Sequence, residues 1–271
     1  MVKRFGFTVT RTRWFVSLWQ SSQRVSVTRR NRLNTARRFS LRLGRAVLLA
    51  CAAVVAGSQP AAAQQTLNFT LGGFVPRGFD ARVSGDTLVE NRDFLVFDMG
   101  DFAGGAVGAE WLIPAGEYFE LGGGLGFYRR TVPTVYEDFV DDDGTEIDQD
   151  LRLRVVPLTA TVRVLPLGQS NGVQPYFGAG VAVFNWRYSE SGEFVDFADN
   201  NAIFRDSFVA DGNEPGVVAF GGIRFAADAF SAGGEIRYSA AEADLPSEFV
   251  GTTIDLGGWT YQFTVGVRFG R

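Results

Sequence analysis

The feature that most constrains this chain is a two-residue alternation of apolar with small or polar side chains, which recurs from Thr66 onward. The last segment is the clearest: Trp259, Tyr261 and every second residue up to Phe269 are apolar, and Thr, Gln, Gly or Arg stand between them. Successive side chains of a strand point to opposite faces, so each such segment predicts a strand with one apolar face. No segment after Thr66 shows sustained helical periodicity. The chain is therefore predicted to be all-β.

Eight segments share this pattern, and the connections between them alternate in length. The segments are 66–76, 103–113, 117–128, 155–165, 175–187, 216–226, 230–240 and 259–269. The short connections are 114–116, 167–172 and 227–229. The long connections hold most of the acidic residues and cover about 78–101, 131–150, 189–214 and 242–256. This alternation places every long loop at one end of an up-and-down meander.

An even number of alternating segments of about ten residues, with short turns at one end and long loops at the other, is typical of a bacterial transmembrane barrel. Closing eight strands also removes the unpaired edges that hydrocarbon does not tolerate. The sequence therefore predicts an eight-stranded antiparallel up-and-down transmembrane β-barrel with short periplasmic turns and long acidic external loops. Aromatic residues near strand ends fit interfacial girdles. They are Trp111, Phe119, Tyr238, Trp259 and Phe269.

A lipocalin-like soluble barrel has the same strand number and order, with its apolar faces turned inward. We favour the membrane barrel, because the non-apolar faces are mostly glycine and carry too few polar side chains to form a solvated exterior. The segment 175–187 is apolar on both faces. We orient it by placing Tyr176, Gly178 and Gly180 with the small or polar faces of the other strands.

Residues 1–63 are predicted to be a targeting segment, and residues 64–271 the barrel. The first part holds 12 of the 26 Lys and Arg residues and no acid. Its apolar run at 46–56 precedes three alanines, as in a signal peptide cleaved after Ala63. The run is too short for a membrane-spanning helix. A loose lipoprotein-box resemblance at 48–51 is disfavoured, because the apolar run continues past the cysteine.

The basic stretch before this signal, rich in Arg, Ser and Thr, is unusually long. Organellar transit peptides have such a composition. The alternative is an upstream error in the start site, with translation beginning near Val27, Leu33 or Leu41. We favour the second interpretation, because a complete bacterial-type signal follows.

The composition of residues 64–271 excludes several kinds of chemistry. The chain has no His, and its single Cys and single Lys are Cys51 and Lys3. Ser-His and Cys-His pairs, Schiff-base lysines, imidazole or thiolate zinc sites and disulfides are therefore absent from the predicted barrel. Its 14 basic against 30 acidic residues argue against a nucleic-acid partner. We predict no enzyme activity, no cofactor and no metal.

Three architectural motifs identify a resemblance: the run Gln174–Ala182, the glycine-rich strand 121–127 and the aromatic-alternating last strand. From about residue 66, the chain resembles the small eight-stranded bacterial outer-membrane barrels, the group of the OmpA transmembrane domain, OmpX and OmpW. The resemblance implies location in the outer membrane. It also implies contact with outer-membrane lipid and lipopolysaccharide, and with periplasmic chaperones and the barrel-assembly machinery. Members usually end on an aromatic residue, whereas here Phe269 is followed by two more residues.

Seven charged residues fall on the predicted inward faces. They are Glu110, Glu120, Arg163, Arg224, Glu235, Arg237 and Arg268. The interior of an eight-stranded barrel is just wide enough for side chains to fill, and an isolated buried ion costs several kcal/mol. We therefore predict a structural Glu-Arg network with glycines leaving room for it. A gated ion path or a carboxylate pair for acid-base catalysis is the less favoured interpretation. Outer-membrane enzymes of similar size, such as the lipid A palmitoyltransferase and deacylase families, rely on His.

The acidic stretch 141–150 partly fits an EF-hand loop, with Asp141, Asp143 and Asp150 at ligand positions. Phe139 would occupy the first ligand position, so we favour a solvated acidic hairpin with an Asp-Gly turn. Four arginines flank this stretch at the predicted outer boundary. They are Arg129, Arg130, Arg152 and Arg154. These arginines could bind lipopolysaccharide phosphates or pair with the loop's own carboxylates, and the sequence leaves both options open.

The predicted function is that of a non-enzymatic outer-membrane barrel with a structural or surface-interaction role, such as envelope integrity, adhesion or shielding through acidic external loops. The alternative is porin-like or OmpW-like passive passage of small or hydrophobic solutes. Nothing in the sequence identifies a partner for the loops, and a barrel fold by itself does not imply a function.

Overall fold

Eight antiparallel strands form a closed barrel in the computed structural model, which describes residues 64–141, 143–170, 172–197 and 201–270. The barrel strands are β1 (Gln65–Pro76), β2 (Gly104–Pro114), β3 (Phe119–Val140), β4 (Glu146–Val164), β5 (Gly172–Asp196), β6 (Ala202–Ala226), β7 (Phe230–Ala240) and β10 (Gly258–Phe269). Two short strands, β8 (Glu242–Asp244) and β9 (Thr253–Asp255), form a separate hairpin between β7 and β10. Strand β1 closes the ring by pairing with both β2 and β10. The predicted strand number and order are confirmed.

The apolar faces of these strands point outward. On β10, Phe263 is 75% exposed, whereas its neighbour Thr264 is buried. On β5, Phe177 is exposed and Tyr176 is buried, so the orientation predicted for this strand is confirmed. An exterior with large apolar side chains on every barrel strand suits hydrocarbon and would be costly in water. The lipocalin-like arrangement, with apolar faces turned inward, is therefore wrong for this barrel.

Two segments predicted to be loops are strands instead. Residues 131–150 mostly continue β3 and β4, and residues 189–214 mostly continue β5 and β6, up to the pair Asp196 and Ala202. Inward side chains within them, such as Val132, Ile147 and Ala210, are buried, and most of the acids point outward. The density of acids was mistaken for a loop signal, although the two-residue alternation continues. The two hairpins thus extend beyond the apolar belt as paired strands.

The other two long connections cover the barrel mouth, and we call them together the cap (residues 77–103 and 241–257). The first contains a short helix, α1 (Thr87–Glu90), whose N-terminal carboxylate Asp86 accepts a hydrogen bond from the Leu88 amide at 2.9 Å. Asp86 also accepts from the Asp255 amide, which joins the two parts of the cap, and pairs with Arg82 at 2.9 Å. Within the described ranges, no helix is long and apolar enough to cross a bilayer.

Candidate functional site

Six of the seven predicted charges pair inside the barrel, and Arg268 lies nearer to the short turns. The Nη2 atom of Arg163 pairs with Glu110 of β2 and, at 3.0 Å, with Glu235 of β7. Arg237 pairs with the same two carboxylates, at 3.6 Å and 2.8 Å. Arg163 is 1% exposed. These four residues alternate in sign, so each carboxylate faces two guanidinium groups and the cluster has no net charge.

A second ion pair lies nearer to the short turns. Arg224 of β6 binds the Glu120 carboxylate of β3 through both terminal nitrogens, and its Nε donates to the Gln174 side chain at 2.7 Å. Arg268 lies half-buried at this end of the barrel, where its guanidinium donates to the carbonyl of Ala227 in the β6–β7 turn. We call the six paired charges and their hydrogen-bond partners the ionic layer.

Sequence reasoning missed the uncharged members of the ionic layer. The Tyr176 hydroxyl donates to Glu235 at 3.1 Å, Gln262 donates to the same carboxylate at 2.8 Å, and Thr161 donates to Glu110 at 3.0 Å. The Arg163 guanidinium also lies 4.4 Å from the centroid of the Tyr176 ring, which stabilises its charge by a cation-π contact. All three polar residues lie on inward faces, so the alternation pattern could have identified them.

Interior glycines provide the space that these side chains occupy. A Cβ atom added to Gly122 would lie 2.3 Å from the Thr161 hydroxyl and 2.7 Å from the Glu110 carboxylate. The neighbouring Gly123 points outward and would meet nothing within 4 Å. Glycine is therefore required at this inward position of β3, because the Thr161 and Glu110 side chains occupy the space that a Cβ atom would need.

Above the ionic layer, towards the cap, the interior is filled by apolar side chains, which we call the apolar layer. The barrel wall contributes Tyr128, Leu153, Phe184, Trp186 and Tyr188, and the cap contributes Leu88, Leu95, Phe97, Met99 and Phe102. The Tyr128 hydroxyl donates to the Phe102 carbonyl, which ties the cap to the wall. This layer has the composition of a soluble protein core, and its extent was not predicted.

One carboxylate is buried within the apolar layer. Glu190 of β5 is 5% exposed and accepts hydrogen bonds from Asn91 of the cap at 2.7 Å and from the Tyr188 hydroxyl at 2.8 Å. Burial raises the pKa of Glu190, although these two hydrogen bonds oppose the shift. No arginine pairs with it among the described residues. Glu190 thus joins the cap to the wall while bearing a poorly solvated charge.

Two observations decide the type of fold. Paired charges face the inside of a closed ring of strands, and every strand of the ring exposes apolar side chains on its outer face. The fold is that of a small outer-membrane β-barrel. This assignment rests on geometry, since no protein-family model and no curated protein matches the chain.

Several solved outer-membrane barrels are similar to this barrel in structure. The outer membrane protein OprG from Pseudomonas aeruginosa has 14% identity and a TM-score of 0.45, covering 78% of this chain and 97% of that one. The N-terminal barrel domain of Pseudomonas aeruginosa OprF has 12% identity and a TM-score of 0.37, covering 76% and 99%. Ail of Yersinia pestis, solved with the heparin analogue sucrose octasulfate, has 10% identity and a TM-score of 0.35, again covering 76% and 99%.

A cavity of about 80 Å³ lies inside the barrel and borders both layers. Its lining includes Glu110 and Arg237 of the ionic layer and Tyr128 and Phe184 of the apolar layer. It also reaches Pro157 of β4, where the β3–β4 ladder is interrupted. Within the described strands, residues 126–127 of β3 have no registered partners on β4. Proline lacks the amide that a ladder hydrogen bond needs.

The acidic segment considered for calcium begins with a tight turn. The Asp141 amide donates to the Thr145 carbonyl at 2.9 Å, and Gly144 has a φ of +83°. The Asp143 carboxylate accepts hydrogen bonds from the Thr145 amide and hydroxyl, which lower its pKa. Asp142 lies outside the described residues, and the described ones contain no group of three or more His, Cys, Asp or Glu residues that could hold a metal ion.

Proposed function

We propose that the chain is exported, cleaved near Ala63 and assembled into the bacterial outer membrane as a non-enzymatic barrel that acts at the cell surface. Residues 1–63 lie outside the described residues, so the export signal rests on sequence alone. Barrel-assembly machinery and periplasmic chaperones are the expected partners in assembly. The surface role is structural or interactive: envelope integrity, adhesion or shielding.

The observation that carries this proposal is the double occlusion of the interior. The ionic layer crosses the lumen, and the cap together with the apolar layer fills the mouth. A conducting path would have to disrupt paired charges and a packed apolar core. Catalysis is equally disfavoured, because the carboxylates of the ionic layer, Glu110, Glu120 and Glu235, are all bound by arginines. The buried Glu190 is held by Asn91 and Tyr188 between the cap and the wall.

The two extended hairpins supply the surface that would act outside the cell. They carry exposed acids, among them Glu137, Asp138, Asp148, Asp206 and Asp211. Paired strands hold these charges in a fixed arrangement, whereas a mobile loop would have to be ordered on binding at an entropic cost.

The test combines conductance with a surface assay on the full chain. A matched variant replaces the hairpin tips, residues 137–146 and 193–205, with short turns and leaves the ionic layer intact. We expect closed planar-bilayer recordings from both proteins, together with loss of adhesion or autoaggregation only in cells carrying the variant. Discrete channel steps from the wild-type protein would reject the proposal, and so would unchanged surface behaviour and envelope sensitivity in the variant.

A second candidate function, passage of small apolar solutes through the barrel wall, is favoured by one observation. The interior cavity reaches the wall at Pro157, where the β3–β4 ladder is interrupted. A disulfide between cysteines at Phe127 and Val156 would close this interruption. If solutes pass there, the cross-link abolishes uptake of an apolar dye into vesicles, whereas a cross-link at the already paired Leu125 and Leu158 does not. Equal uptake with both cross-links would exclude the route.

A further inference from the structure

Three arginines lie side by side on the outside of the barrel wall. Arg129 of β3 is the register partner of Arg154 of β4, which is in turn the partner of Arg187 of β5. The inward neighbours Tyr128, Val155 and Tyr188 are buried, so the three arginines occupy the outer face. With strands about 4.8 Å apart, the row spans roughly 10 Å. We call these residues the arginine row.

The arginine row lies just beyond the apolar belt. On β3, the exposed Phe127 precedes Arg129 by two positions, and on β4 and β5 the nearest exposed apolar residues are Leu158 and Val183. Past the row, towards the cap, the outward positions of β4 are polar. This is the level at which phosphate groups of lipid heads meet a membrane protein.

Within the described residues, none of the three positive charges is neutralised by an ion pair. No carboxylate forms an ion pair with Arg129, Arg154 or Arg187 within the described part of the chain, although Asp211 is the register partner of Arg187. Like charges that face each other across strands are destabilising. Among the described residues, Arg129 and Arg154 therefore do not form the pairing with loop carboxylates considered from the sequence.

The polar contacts of the row leave donors available. Arg154 donates from one terminal nitrogen to the Asn185 side chain at 3.2 Å, while its Nε is buried and has no hydrogen-bond partner in the structure. Arg152, two residues along the same face, donates from Nε to Thr131 at 3.0 Å. The fourth arginine considered from the sequence, Arg130, differs, because its Nε donates to the Asp101 carbonyl of the cap.

We propose that the arginine row binds the phosphate groups of lipid A in the outer leaflet. Guanidinium groups bind phosphate oxygens through paired hydrogen bonds, which suits them to this ligand better than lysine. A phosphorylated headgroup would neutralise three adjacent charges. The belt of apolar side chains below the row would contact the acyl chains of the same molecule.

The full chain, purified from membranes in detergent, is titrated with diphosphoryl lipid A and with dephosphorylated lipid A and followed by native mass spectrometry. The test variant is Arg154→Gln/Arg187→Gln. The matched control, Arg92→Gln/Arg205→Gln, removes two exposed arginines away from the row. We expect the test variant alone to bind diphosphoryl lipid A at least about tenfold more weakly, as expected for loss of a charge-assisted hydrogen bond. Neither variant should change the weaker binding of dephosphorylated lipid.

Heat-dependent electrophoretic mobility verifies that each variant is folded. If the Gln variant fails to fold, Arg154→Lys/Arg187→Lys keeps the charge but loses paired hydrogen bonding, and should also weaken binding. Wild-type affinity in the folded variants would overturn the proposal. Competition by inorganic pyrophosphate as effective as that of lipid A would instead indicate a free-phosphate site. Arginine-dependent binding of a sulfated polysaccharide, with no preference for phosphorylated lipid, would also overturn it.

Discussion

The barrel interior is filled by paired charges towards the short turns and by apolar side chains towards the cap. Arg163 and Trp186 are equally buried, at 1% and 2% exposure. The first is surrounded by carboxylates and a tyrosine from other strands, and the second by aliphatic and aromatic groups of the wall and cap. Both layers exclude water, but they do so by opposite chemistry.

The difference follows from what surrounds each layer. The ionic layer lies behind a wall whose outer face is apolar, and its charges are stabilised by partners inside the barrel, most of them on other strands. The apolar layer lies largely behind strands whose outer faces are polar, so cap residues can pack against it as in a soluble protein. Substitutions in the ionic layer should therefore destabilise the closed barrel, and substitutions in the apolar layer should destabilise the docking of the cap.

The largest expected effect comes from removing the central cation of the ionic layer. Arg163→Met leaves Glu110 and Glu235 with one cation fewer between them, and we expect the free energy of unfolding to fall by about 3–5 kcal/mol. Urea titration in detergent or vesicles measures the change. The control Arg205→Met breaks an exposed pair with Glu193 and should cost at most about 1 kcal/mol. Equal losses in the free energy of unfolding would show that Arg163 contributes no more to stability than an exposed arginine.

A cavity in the apolar layer should loosen the cap without opening the barrel. Leu88→Ala removes a fully buried side chain, and we expect a loss of about 2–5 kcal/mol in the local stability of the cap. Hydrogen exchange of cap and strand amides separates local from global opening. Val96→Ala, in the same connection but 52% exposed, is the matched control. If the strand and cap amides lost protection from exchange to the same extent, the cap would not open independently of the barrel.

Adding a methyl group inside and outside the same strand tests how tightly the ionic layer is packed. Gly122→Ala displaces the Thr161 hydroxyl and the Glu110 carboxylate and should cost about 1–3 kcal/mol. Gly123→Ala points outward into open space and should be close to neutral. Urea titration of both variants makes the comparison. A neutral Gly122 substitution would mean that the network can shift without cost.

The smallest effect concerns the buried carboxylate of the apolar layer. Because the folded pKa of Glu190 is raised, its stabilising contribution is complete below the unfolded pKa and is lost as pH rises through the folded pKa. Glu190→Gln should therefore be more stable than wild type at pH 7 and no more stable at pH 4. Thermal unfolding at both pH values tests this. A pH-independent effect of Glu190→Gln would contradict the assignment.

Much of the fold could be predicted from alternation, because side-chain direction in a strand is a local property. The same rule placed all seven predicted charges, from Glu110 to Arg268, on inward faces. It failed where composition overrode it, since the acids of the two hairpins suggested loops. Val132, Ile147 and Ala210 carried the signal that these segments remain strands, because they continue the apolar inward positions.

The sequence by itself determined the eight strands, their two faces and the absence of His, Cys and Lys chemistry. Only the tertiary structure decided which charges pair, because Arg163 and Glu235 are separated by 72 positions and meet through the closure of the ring. It likewise decided that Arg129, Arg154 and Arg187 align and that the cap seals the mouth. Periodicity specifies the direction of a side chain, whereas register and closure specify its neighbours.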